Sequence, residues 1–125
     1  ARERISEVDK RKALDDELGI ARTIRASVHS ILSLIEWIPV RDAYAAAPSG
    51  PQRDKLREQL IRIARDELAN ARAALPVIEA DSRLGAASEG GGMQAGGLFS
   101  PALVRAKIGM MEDLIERQLA IPPAR

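Results

Sequence analysis

From Ala21 to Ile38, apolar residues recur at Ala21, Ile24, Val28, Ile31, Ile35 and Ile38, with spacings of three, four, three, four and three. That is a heptad-like stripe, the pattern of a helix packing lengthwise against others. Ile5, Val8, Leu14 and Leu18 extend it upstream, so the pattern predicts a first helix over about 3–37 with no capping residue before it. Gly19 costs about 1 kcal/mol relative to alanine; a close helix neighbour is one reason to tolerate it, and a helix this long leaves room for a bend or break there. Pro39 disfavours helical geometry at Ile38 and removes one backbone bond, so a break or kink is expected there. Residues 41–47 can resume the helix before the linker Pro48-Ser-Gly-Pro51.

A second stripe (Leu56, Leu60, Ile63, Ala64, Leu68, Ala71, Leu75) predicts a helix over about 51–75, with Pro51 in its first turn and Pro76 ending or kinking it. Glu67 and Asn70, three apart, share a face, and Glu67 lies at the stripe's edge, where partial burial is expected. Residues 85–97 hold six glycines in thirteen positions and predict a loop. Its spacing is not that of a phosphate-binding loop. Ser100-Pro101 then reads as an N-cap followed by proline. Leu103, Val104, Ile108, Met111, Ile115 and Leu119 form the third stripe, and Pro122-Pro123 stops it, giving a helix over about 101–120. The expected fold is all-α: a single domain, 1–125, built as a three-helix bundle with a long first helix and a glycine-rich loop before the last helix.

Composition narrows the function classes. Aromatic residues make up 2% of the 125, so Leu, Ile, Val, Ala and Met must build the core. Net charge is +1, with both signs interspersed; with no basic tract and few rings to stack on bases, nothing points to nucleic acid. There are no cysteines, hence no disulfides and no thiolate metal site. No apolar run is long enough to span a membrane, and the chain reads as soluble. It opens on Ala1 inside a charged helical pattern, as a piece of a larger protein would.

Candidate chemistry is sparse. His29 is the only histidine, and paired Glu-x-x-His motifs are missing, so no metal site and no cofactor is expected. His29 lies in a run of small residues, where it either hydrogen-bonds at a helix contact or meets a ligand. Glu79, Asp81 and Arg83 form a polar corner after Pro76. If that segment is extended, the three point to one side. If it is helical, Glu79 and Arg83 are an i,i+4 ion pair. They either cap and pair locally or face a ligand, with arginine suited to forked recognition of acids. Trp37 reads as an anchor at the core edge. Leu34, Trp37 and Ile61 form an apolar remainder that would suit a partner.

The stretches Glu67-Leu-Ala-Asn70 and Ala74-Leu-Pro-Val-Ile-Glu-Ala-Asp-Ser-Arg-Leu-Gly85, with Lys107-Ile108 further on, resemble the helical C-terminal segment of large bacterial proteins of glycoside-hydrolase type. The earlier helix carrying Arg25, His29 and Trp37 is similar to that family's preceding helix. After Gly85 the family places aromatics and acids where this chain has alanines and glycines. The resemblance implies an accessory helical domain of a carbohydrate-processing protein. Its partner would be a catalytic domain or subunit elsewhere, with carbohydrate at the cleft rim. Glu79, Asp81, Arg83, His29, Glu67 and Asn70 are the candidate ligand-binding residues, and the main catalytic pair would lie outside the chain. The alternative is a stand-alone interaction module that forms a homo-oligomer.

Overall fold

The computed structural model describes residues 6–81 and 100–120. They form three helices packed against one another: α1 (Glu7–Ala46), α2 (Pro51–Ala80) and α3 (Pro101–Asp113). A π-helical turn, Leu114–Gln118, continues α3, and Leu119 Nα closes it on the Leu114 carbonyl. The bundle with a long first helix is as expected. The glycine-rich segment and Arg83 lie outside the described residues.

Several boundaries differ from the sequence reading. α1 does have a cap. Ser6 Oγ accepts from Asp9 Nα while the Asp9 carboxylate accepts from Ser6 Nα, a capping box. The hydroxyl and backbone N–H of Ser6 hold the Asp9 carboxyl below its usual range. α1 passes through Gly19 without a break, and Thr23 Oγ1 donates to the Gly19 carbonyl at 2.9 Å.

Neither internal proline stops its helix. α1 runs seven residues past Pro39 and α2 four past Pro76. The far side of each proline is held by packing. Ile78 is 3% exposed, clustered with Ala71 and Val104. The end of α1 is held by Arg53, which stacks over Tyr44 at 4.3 Å and donates to the Ala47 carbonyl at 2.7 Å. A proline costs about 3 kcal/mol in a helix interior, and burying a side chain such as Ile78 returns about 1.5–3 kcal/mol. At the turn between α1 and α2, Gly50 adopts φ 144°, a conformation only glycine takes cheaply.

α2 is the central element. Its predicted stripe is the core: Leu60, Ile63, Ala64, Leu68 and Ala71 are buried, together with Glu67 and Ile78. α1 and α3 each pack on α2 and scarcely on each other. The inner line of α1 includes Gly19, Thr23, Ala26, Ser27, Ser30, Ser33, Trp37, Val40 and Tyr44, and Thr23 is the one buried residue of this helix. The expected apolar stripe points the other way. Ile24, Val28, Ile31, Ile35 and Ile38 are 41–63% exposed, flanked by exposed Leu14, Leu18, Ile20, Leu32 and Leu34. Small residues on the inner line let α1 lie close along α2, which turns the large aliphatics outward.

This arrangement predicts unequal costs for equal truncations. Leu60→Ala should lower unfolding free energy by about 2–5 kcal/mol, and Leu103→Ala, half-exposed on α3, by under about 1 kcal/mol. Urea denaturation of the two variants checks it.

Candidate functional site

The polar residues of the bundle converge on one point. Glu67 lies on the buried face of α2, 6% exposed. Its Oε1 accepts from Ser30 Oγ of α1 and from Lys107 Nζ of α3. Lys107 Nζ also donates to Ser30 Oγ at 2.9 Å. One helical turn along α2, Asn70 Nδ2 donates to the Ala26 carbonyl at 3.0 Å and to Ser30 Oγ at 3.3 Å. Ser30 thus uses its one proton and both lone pairs. The placement follows from short side chains on α1: a serine at position 30 leaves room for a carboxylate and an ammonium group to meet behind it.

Glu67 is only half satisfied. Its Oε2 is buried and makes no hydrogen bond of normal geometry, with His29 Nε2 standing 4.0 Å away. Burial alone would push the Glu67 carboxyl up. The hydrogen bonds from Lys107 and Ser30, with the charge of Lys107, more than reverse this and hold it below the usual carboxylate range.

Of the concavities that touch the cluster, two are large. One runs between α1, α2 and the end of α3, with a volume of about 490 Å³. It is lined mainly by apolar side chains, including Ile31, Leu34, Trp37, Ile63 and Met111, and Glu67 and Lys107 line it as well. Trp37 is half-buried at its edge rather than packed in the core. The other groove, about 590 Å³, is formed by α1 and α2 alone and carries Arg22, Arg25, His29 and Asn70.

Of the residues singled out from sequence, His29, Glu67 and Asn70 come together. Glu79 does not join them. It stands on the last turn of α2, where its carboxylate pairs with Arg105 of α3. α2 continues through Ala80, so residue 79 is helical and the extended alternation with 81 and 83 does not start there. Asp81, half-buried, is the C-cap residue of α2. Ser30 and Lys107 are the members of the cluster that the sequence reading did not place there. The available signal was the small-residue line at 19, 23, 27 and 30, repeating at helical spacing.

Among the described residues no group of three or more His, Cys, Asp or Glu side chains is placed to hold a metal ion. No helix among them is long and apolar enough to cross a membrane. No family model, curated protein or solved structure matches the chain.

The cluster makes two predictions. Glu67 has a lower pKa folded than unfolded, so its contribution is present above the unfolded value, about 4.3, and is lost as pH falls through the folded one. Unfolding midpoints measured from pH 6 to pH 2 should fall along this limb, and Glu67→Gln should flatten it. Lys107→Met leaves a buried carboxylate without its cation and should cost about 3 kcal/mol. Adding Glu67→Gln to that variant should recover part of the loss, read by thermal or urea unfolding.

Proposed function

We propose that the chain is a helical accessory module that docks through the outer face of α1 on another folded domain. The carrying observation is the inverted amphipathicity of α1: ten large aliphatics between Leu14 and Ile38 stand on its surface, each 41–63% exposed. Typical monomers keep contiguous apolar patches to about 300–600 Å². A stripe of this length, roughly 36 Å at 1.5 Å per residue, is instead of the order that a standard interface covers, about 800 Å² per partner. Ile31 and Leu34 also line the apolar groove beside α3, so the surface runs from the open side of α1 into the seam between α1 and α3. A helix or sheet edge of the partner would fill that seam.

The partner we assign is the catalytic domain of a bacterial carbohydrate-processing protein. Support comes from the resemblance carried by Glu67, Asn70 and residues 74–85; of its polar members, Glu79 and Asp81 stand at the end of α2, and Glu67 and Asn70 on its face toward α1. The chain acts by positioning and bracing, and the bond-breaking groups belong to the partner.

One observation favours a second reading. The spacing of Ile24, Val28, Ile31, Ile35 and Ile38 is that of a coiled-coil seam, which another copy of the same stripe can complete. β-branched residues at both core positions favour assemblies of more than two helices.

The same measurement separates the two. The double variant Ile31→Glu/Ile35→Glu should keep its helical circular dichroism, because both positions are exposed. Native mass of the chain isolated from its own source should show it joined to a larger polypeptide with glycosidase activity, and the double variant should lose that association. Self-association of the purified chain at micromolar concentration, also lost in the variant, would favour the second reading. A lone monomer with unchanged behaviour in the variant would contradict both.

A further inference from the structure

The groove between α1 and α2 carries cations that no carboxylate among the described residues neutralises. Arg41, Arg57, Arg62, Arg72, Arg105 and Arg117 all pair with carboxylates. Among the described residues Arg22 and Arg25 pair with none, although both line this concavity. His29 lies one further turn along the same wall, its side chain 46% exposed. The single carboxylate at the rim, Asp66, is 3.6 Å from Arg62.

Across the groove Asn70 presents an acceptor. A carbonyl can only accept, so the amide group facing the Ala26 carbonyl must be the NH₂. Among the described residues nothing donates to Asn70 Oδ1. The remaining lining is small and apolar, with Ala73 among several alanines. A ligand here meets a cationic wall, a hydroxyl acceptor and a flat apolar floor.

We propose that this groove binds a carboxylated sugar, a uronate. Arg22 and Arg25 take the carboxylate, since guanidinium forks match its two oxygens. Asn70 Oδ1 accepts from a ring hydroxyl, His29 meets another, and the alanine floor carries the C–H face of the ring. The choice of a sugar acid rests on the carbohydrate part of the proposed function. The site itself is separate from the α1 docking face, because the arginines and His29 lie beside that face and open toward α2.

The test is a titration of the full chain, followed by amide NMR shifts, with glucuronate, glucose and inorganic phosphate in turn. Glucuronate should bind saturably and shift residues around 22–29 and 66–77, about tenfold more tightly than either glucose or phosphate. Arg25→Gln should weaken it by about tenfold without changing the fold, and Arg105→Gln, an exposed arginine on α3, should leave it unchanged. Equal or tighter binding of phosphate would overturn the sugar-acid assignment. No saturable binding of any of the three would overturn the site. Either result leaves the docking of α1 standing, because that is read from association and not from titration.

Discussion

Glu67 is the point where the three helices are tied. α1 and α3 scarcely touch each other, and the link between them runs from Ser30 through the Glu67 carboxylate to Lys107. A buried charge pair adds little net stability, because desolvating both ions offsets most of their attraction. What it does supply is register. A slide of α3 by one turn would leave the Glu67 carboxylate buried without its cation, at a cost of about 3–5 kcal/mol. The grooves on either side of the bundle have their shapes because this tie holds α1 at a fixed place along α2.

The same tie explains the inversion of α1. A helix that reached its neighbours through Ile24, Val28, Ile31 and Ile35 would bury aliphatics and leave Ser27 and Ser30 in water. Here the serines and Thr23 face α2, and the aliphatics stay outside. The chain gives up the hydrophobic gain of that stripe within its own fold, at about 25 cal/mol per Å², and keeps it for whatever covers α1.

Much of the architecture is legible in the amino-acid pattern, and the departures have physical causes. The stripe of α2 and the Ser100 cap are read correctly because the periodicity coincides with burial, and that of α3 in part, since Val104 and Leu119 are buried while Leu103 stays half-exposed. The period of α1 is also correct, but period alone does not say which of two stripes faces inward. The small residues at 19, 23, 27 and 30 repeat as regularly as the isoleucines. Pro39 and Pro76 mislead because propensity is local, whereas Ile78 and the Arg53–Tyr44 contact are tertiary. At the site, Glu67 and Asn70 are legible from their shared face and His29 from its uniqueness. The meeting with Lys107 bridges 40 residues of sequence, a distance that spacing does not encode. Glu79 and Asp81 stand out in the sequence by chemical type alone; the structure puts Glu79 against Arg105 and Asp81 at the C-cap of α2, away from the Glu67 cluster.

The orientation of α1 is the claim on which the docking surface and the grooves rest. Carbene footprinting of the dilute, monomeric chain tests it most directly. Ile24, Val28, Ile31, Ile35 and Ile38 should label strongly, while Leu60, Ile63 and Ile78 stay protected. In the native assembly the α1 positions should become protected as well. Protection of Ile31 and Ile35 in the monomer, with labelling around Ser27 and Ser30, would show the helix turned the other way and would contradict the account.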